Sequence, residues 1–238
     1  MITIKNIHKY YRKLHALKGI DLTFEAGDRC IALIGPNACG KTTLIKCILN
    51  LVTPTKGEVM ISGRNANHDP RTRELIGFMP QSANFPKNLS VENTFRLIRS
   101  VRPEINDTDD ELYHSFHLDR ISTKTMGTLS GGTVQKVSAA LAFMFHPQIV
   151  ILDEPFAGLD PLASGILKEK ILKEKEKGKL ILITSHVISE LDHLASHVIF
   201  MEEGRILFYK SVGLLLEDTG EHTITGAIMK ILTQTEYE

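Results

Sequence analysis

The sequence predicts an α/β fold with a mainly parallel sheet, an N-terminal antiparallel β subdomain and an inserted helical subdomain. Three observations carry this expectation. Short apolar runs at Cys30–Ile34, 149–152 and Leu180–Thr184 have the pattern of parallel strands, which are covered on both faces and so read as continuous hydrophobic stretches. Ile20, Leu22 and Phe24 alternate instead, which marks a half-exposed antiparallel segment near the start. Between about 81 and 146 the strand pattern gives way to helical spacing. A chain of 238 residues accommodates this as one domain over 1–210, with the helical subdomain inserted, and a short C-terminal extension over 211–238.

The segments follow in order. Before residue 30 the alternating pattern is punctuated by Gly19 and Gly27, both expected at turns. After Cys30–Ile34 comes a stretch of small residues, then a helix pattern over 41–51. Segments 57–63 and 75–79 are expected as further strands. Inside the insertion, 91–101 and 107–117 are expected helices, the second with acidic residues in its first turn, where they oppose the helix dipole. A third helix over 133–145 places Val134, Val137, Leu141 and Met144 on one stripe. Beyond Pro147 follow strand 149–152, a charged helix over 162–177, strand Leu180–Thr184 and a helix near 187–195. Segments 198–201 and 205–208 flank Glu202-Glu203-Gly204 like a hairpin. Lys and Glu alternate at helical spacing over 168–179, the pattern of a solvated helix face.

Composition narrows the function classes. Hydrophobic content of 42% and charged content of 24% are those of a soluble globular chain. The formal net charge of zero argues for neither nucleic acid nor an anionic membrane as a direct partner, and no nucleic acid is expected. No apolar run approaches the roughly 18–20 residues that cross a bilayer, and Met1-Ile2-Thr3-Ile4-Lys5 opens like a strand rather than a signal peptide, so the expected location is cytosolic. Cys30, Cys39 and Cys47 lack paired metal-ligand spacing. Cys30 and Cys47 fit a core; Cys39 is either a small tolerated side chain or a redox-sensitive thiol. The pairs His114/His117 and His193/His197 each offer half a metal site, with no third ligand in view.

Three motifs carry chemistry. Gly35-Pro36-Asn37-Ala38-Cys39-Gly40-Lys41-Thr42 matches the pattern G-x-x-x-x-G-K-T between a strand and a helix. Phosphate oxygens need many donors at short range, and a small-residue loop at a helix N-terminus presents backbone N–H groups in that way. Lys41 then supplies a point charge to the β- and γ-phosphates, the Thr42 hydroxyl can coordinate Mg²⁺, and Thr43 can reach the α-phosphate. Asp153 ends the apolar run 149–152, where a carboxylate can hold a Mg²⁺ hydration shell, and Glu154 follows, placed to polarise a water for in-line attack. The plain alternative is an Asp-Glu turn before Pro155. Leu129-Ser130-Gly131-Gly132 is flexible-loop material when taken alone. With a helix behind it, Ser130, Gly131 and Gly132 sit at a second helix N-terminus, another anion site.

In this order the motifs resemble those of ABC transporter ATP-binding subunits, and the resemblance covers about residues 1–210. It implies a P-loop NTPase core that binds ATP with Mg²⁺ and hydrolyses it as a dimer. One copy's phosphate loop and the other copy's Ser130–Gly132 segment would enclose each nucleotide, so the expected partner is a second, identical ATP-binding subunit. By the same resemblance Tyr11 matches the aromatic that stacks on adenine, and Gln81 the glutamine that touches Mg²⁺ and the attacking water. Asp160, in Gly158-Leu159-Asp160, matches the loop that communicates across the dimer, and His186 matches the histidine that contacts the γ-phosphate. A separate integral membrane permease is implied to dock near 81–89, with Phe85 and Pro86 as contacts, which would hold the chain at the cytoplasmic face of a membrane. An ATPase of a soluble assembly system, such as iron–sulfur cluster assembly, is the alternative; a chromosome or DNA-repair ATPase fits poorly, because no long heptad segment separates the catalytic motifs.

The chain departs from the family pattern at Thr133, where Gln is usual, although Gln135 follows. Ala38-Cys39 stands where Gly and a small residue are common, and Phe156 stands where Thr often follows the Pro. The segment 130–145 is similar to ATPases of ABC-2-type exporters, including those serving copper-site maturation of nitrous-oxide reductase. The short tail leaves no room for the regulatory domain that sugar-importer ATPases append.

Overall fold

The structure, a computed structural model, describes residues 1–25 and 29–235. Gly27, expected at a turn, lies outside them. In chain order the strands and helices begin with β1 (Ile2–Tyr11), β2 (Leu14–Phe24), β3 (Cys30–Ile34), α1 (Lys41–Ile48), β4 (Lys56–Ile61), β5 (Arg64–Asn65) and β6 (Ile76–Met79). Then come α2 (Val91–Ser100), α3 (Glu111–Ser115), α4 (Gly131–Phe143), β7 (Ile149–Asp153) and α5 (Pro161–Glu176). The chain closes with β8 (Leu180–Thr184), β9 (His197–Glu202), β10 (Arg205–Ser211), α6 (Val212–Thr219) and α7 (Ile224–Thr235). These elements form two compact units, one from residues up to Arg73 together with those from Leu180 on, the other spanning Glu74–Lys179.

In the first unit β1 and β2 pair antiparallel, with Ile2 opposite Phe24 and Ile4 opposite Leu22, all four buried. The alternation therefore reports a sheet with one covered face, as the sequence implies. Gly19 is not at a turn. It lies inside β2 at a bulge, where Ile7 pairs with Ile20 and His8 with Lys18, and the strands reverse instead between Tyr11 and Leu14. The extra residue keeps the apolar side chains on either side of the bulge facing inward. β4 adds to the other edge of β1 and β5 to β4. A second sheet centres on β3, wholly buried, with β8 and β9 parallel on its two sides and β10 antiparallel on β9.

In the second unit β6 and β7 pair in parallel. α4 lies so close to β6 that a Cβ on Gly77 would fall 1.9 Å from the Ala142 carbonyl oxygen. The expected apolar stripe on α4 is too narrow: Val134 and Leu141 are half-buried, whereas Gln135, Ser138, Ala139, Ala140 and Ala142 are buried along with Val137, Phe143 and Met144. Small residues on the remaining faces allow neighbours to close in all round. The helix expected over 107–117 shortens to Glu111–Ser115, because Asp109 and Asp110 are engaged by Lys170 and Arg99. In the first unit, the helix expected near 187–195 is reduced to one 3₁₀ turn, Ile188–Glu190. There the Ser185 hydroxyl accepts from Val187 N–H, and Asp192 accepts from Ile224 N–H, so local bonds compete with helix continuation.

The charged face of α5 is not simply solvated. Lys170 and Glu174 are 1% and 0% exposed. The Lys170 ammonium donates to Asp109 at 2.5 Å and to Glu111 at 2.8 Å, and lies 3.1 Å from Glu174, which also binds Lys177 at 2.7 Å and Lys179. Burial alone would raise the Glu174 pKa, but the hydrogen bonds from Lys177, Lys179 and Lys170 outweigh it and hold the carboxyl at about 2. A carboxyl depressed on folding stabilises above its unfolded pKa, and that stability drains as pH falls through the folded value. Stability should therefore fall between about pH 5 and pH 2. Glu174→Gln, followed by urea unfolding at pH 7 and pH 3, should cost about 1.5–3 kcal/mol at the higher pH and less at the lower. An equal loss at both pH values contradicts this role for the carboxylate.

Candidate functional site

The phosphate loop lies in the first unit. β3 ends at Ile34, α1 starts at Lys41, and the intervening residues turn between them, with Cys39 N–H donating to the Pro36 carbonyl at 3.3 Å. Pro36, Asn37 and Ala38 are exposed, so their backbone is open to a ligand at the N-terminus of α1. Gly35 has a clear steric reason: a Cβ there would sit 2.0 Å from the Met201 carbonyl oxygen of β9. Lys41 is buried, and its ammonium turns back to the carbonyls of Gly35 at 2.7 Å and Pro36 at 3.0 Å. Cys39 is a buried free thiol with Sγ 3.9 Å from that ammonium. Cys30 and Cys47 are buried as expected, and burial pushes the Cys47 thiol up to about 11. Ala38 holds φ 63°, which explains why Gly is favoured there: a side chain in this conformation costs about 1 kcal/mol. Thr42 is exposed in the first turn of α1, and Thr43 is half-buried.

Within the same unit, the parallel pairing of Leu33 with Thr184 brings His186 off β8 level with Gly35, and His186 is exposed there. Tyr11 ends β1 with an exposed ring that has the Lys9 ammonium 5.2 Å from its centroid. A Cβ on Gly40 would lie 2.8 Å from the Ala16 carbonyl, so β2 runs directly beside the loop.

The second unit holds the remaining groups. Asp153 ends β7 and Glu154 follows, both buried. Glu154 adopts φ 53°, an uncommon conformation for a non-glycine residue and one often found at functional sites. Met79 pairs with Leu152, so Gln81 leaves β6 level with Glu154, and its side chain is exposed. Ser130 caps α4, accepting from Thr133 N–H at 3.3 Å. Thr133, where Gln is usual, also places its hydroxyl 2.8 Å from that of Ser130. Gly131 is exposed and opens the helix, while a Cβ on Gly132 would lie 2.5 Å from the Gly158 carbonyl. Asp160 caps α5 through Ala163 N–H at 2.9 Å, and its hydrogen bond from Lys136, at 2.6 Å, holds its pKa below the usual carboxylate range.

Two residues absent from the expected site join these pieces. Gln135 is buried on α4 and donates its amide to the Gln81 carbonyl at 2.6 Å, while its Oε1 has no hydrogen-bond partner among the described residues. Lys136, next along, holds Asp160. The start of α4 is thus bonded to Gln81 on one side and to the Gly158–Asp160 turn on the other. A buried amide among Val134, Val137 and Ala139 is the signal that could have found it, since buried polar groups need partners. Among the described residues no group of three or more His, Cys, Asp or Glu gathers as a metal site.

A phosphate loop between a buried strand and a helix, together with a paired carboxylate at the end of another, defines a nucleoside triphosphatase. Residues 17–157 match the family described as ABC transporter. The lantibiotic transport ATP-binding protein SrtF of Streptococcus pyogenes is 32% identical over 210 residues, covering 88% of this chain and 90% of its own. The solved structure of an ATP binding subunit of an ABC transporter superposes with a TM-score of 0.88 at 26% identity, covering 98% of this chain and 99% of that one. A dimeric ATP-binding cassette in a post-hydrolysis state with ADP and Pi has the same fold, with a TM-score of 0.78 at 24% identity over 89% of this chain and 99% of that one. The chain belongs to the ABC transporter family, as one of its ATP-binding and ATP-hydrolysing subunits.

The Gln135 bond generates a prediction. Gln135→Met keeps the volume and removes the donor to Gln81, which should lower ATP turnover about tenfold, the equivalent of one lost hydrogen bond at about 1.4 kcal/mol. Steady-state ATPase assays and nucleotide titration check this: turnover should drop while ATP affinity stays within a small factor. Unchanged turnover removes Gln135 from the site.

Proposed function

We propose that this chain powers a membrane exporter as a homodimer that encloses two ATP molecules, each between one copy's phosphate loop and the other copy's Ser130–Gly132 segment. The observation that carries this reading is the Ser130-capped N-terminus of α4, which opens with the exposed Gly131 and whose lysine, Lys136, is already paired with Asp160. The dimeric cassette holding ADP and Pi supports the two-copy arrangement, and the lantibiotic transport ATPase supports transport. Both fit this reading better than a soluble iron–sulfur assembly role.

The residues divide the work. Tyr11 stacks on adenine, the backbone of Gly35–Gly40 and the Lys41 ammonium hold the β- and γ-phosphates, and Thr43 reaches the α-phosphate. Thr42, Asp153 and Gln81 are the residues that would hold Mg²⁺, which when bound would supply positive charge to offset that of the phosphates. Glu154 accepts a proton from the water whose oxygen bonds to the γ-phosphorus as the bond to the bridging oxygen breaks. His186 contacts the γ-phosphate, and Asp160 meets the second copy. Enclosure excludes water from the phosphates and joins the copies; hydrolysis and Pi release part them.

No helix among the described residues is long and apolar enough to cross a membrane. The work is therefore transmitted to a separate permease, which docks at 81–89 through the half-buried Phe85 and the exposed Pro86 and holds the ATPase at the cytoplasmic face. The cargo is set by that permease. Glu154→Gln tests the chemistry, because it removes the base and keeps the shape. The variant should bind ATP, elute as a dimer with ATP, and turn over at least about 100-fold more slowly. Wild-type turnover in that variant removes Glu154 from its role.

A further inference from the structure

The chain beyond β10 has no part in the site, yet it is bonded at two points to the segment that carries His186. That segment runs from Ser185, after β8, to Ser196, before β9. At its far end, Val212 N–H at the start of α6 donates to the Ser196 carbonyl at 2.9 Å. Ser196 is itself pinned to β3: its hydroxyl lies 3.1 Å from Cys30 N–H and 2.9 Å from the Cys30 carbonyl. Nearer His186, the first amide of α7, Ile224 N–H, donates to Asp192 Oδ1 at 2.9 Å.

Packing follows the same path. Ile224, Ala227 and Ile228, on one face of α7, are buried, and α7 lies against the 3₁₀ turn Ile188–Glu190. That turn is tied back to His186's neighbour, since the Ser185 hydroxyl accepts from Val187 N–H at 3.0 Å and donates to Glu190 at 3.2 Å. Asp192 is not needed to start α7. Thr223 does that, its hydroxyl accepting from Gly226 N–H at 3.1 Å and its carbonyl from Ala227 N–H at 3.0 Å. The Asp192 carboxylate serves docking.

We propose that α6 and α7 form an intrachain strap that holds the 185–196 segment, and with it His186, in the orientation that meets the γ-phosphate, with Asp192 as the positioning residue. This rests on the reading of His186 given above. The strap makes the C-terminal extension a control point on ATP turnover: an event that lifts α7 slows hydrolysis without touching the nucleotide.

The test compares full-length Asp192→Ala, Asp192→Asn, Ile228→Glu and His186→Ala. Asn keeps an oxygen that accepts from Ile224 N–H; Ala does not. Asp192→Ala should lower kcat about three- to tenfold, the range set by loss of one intramolecular hydrogen bond, with KM for ATP and the thermal midpoint little changed. Hydrogen exchange should rise across 186–192 and at the start of α7 alone. Asp192→Asn should restore kcat, and Ile228→Glu, which expels α7, should lower it at least as far as Asp192→Ala. If Ile228→Glu misfolds, the Asp192 pair decides. Unchanged kcat in Asp192→Ala beside an inactive His186→Ala overturns the strap and leaves the His186 reading standing. A fully active His186→Ala overturns that reading, and the strap with it. Failure of Asn to rescue Ala removes Asp192 as the link.

Discussion

The ammonium of Lys41, buried beneath the loop that precedes it, is the constraint around which the first unit is organised. A cation taken out of water needs close acceptors, and here the carbonyls of Gly35 and Pro36 provide them at 2.7 and 3.0 Å. Those carbonyls can converge only if the loop turns tightly off β3, and Gly35 permits this by leaving room for the Met201 carbonyl. The parallel placement of β3 between β8 and β9 then presents the loop at the C-terminal edge of the strands, where α/β folds bind their ligands. His186 leaves β8 at that same edge.

The second unit solves a different problem. Segments that must respond together are bonded to the first turns of α4. Gln135 reaches the Gln81 carbonyl, Lys136 reaches Asp160, and Gly132 lets the helix touch the Gly158 carbonyl. Ser130, Gln81 and Asp160 are thus linked through the first turns of one helix. In the proposed dimer that joins the grip on a neighbour's ATP to the groups that sense the water and the permease.

The fold was legible wherever local pattern and tertiary environment agree. Continuous apolar runs gave β3, β7 and β8, alternation gave β2, and motif spacing singled out the loop between β3 and α1. Legibility failed where long-range partners decide. The Lys-Glu repeat on α5 looks solvated in isolation, yet Lys170 is buried because Asp109 and Glu111, some sixty positions earlier, supply the opposite charge, and Glu174 is buried against Lys170, Lys177 and Lys179. Gly19 looks like a turn, and only its pairing with β1 shows the bulge. The helix near 187–195 is lost because Asp192 and Ser185 bond elsewhere. The bonds of Gln135 and Lys136 were hidden for the same reason, as the Gln81 carbonyl and Asp160 lie far along the chain.

In the proposed dimer Ser130 of one copy acts on ATP held by Lys41 of another. Complementation between two inactive variants tests it most directly. Lys41→Ala and Ser130→Phe are each prepared alone, then mixed, and ATPase activity is followed as the copies exchange. In a mixed dimer one site carries both defects and the other carries neither, so the account predicts that turnover returns on mixing. If Lys41 and Ser130 serve the same copy's nucleotide, every site remains broken, and a mixture as inactive as its two components would contradict the account.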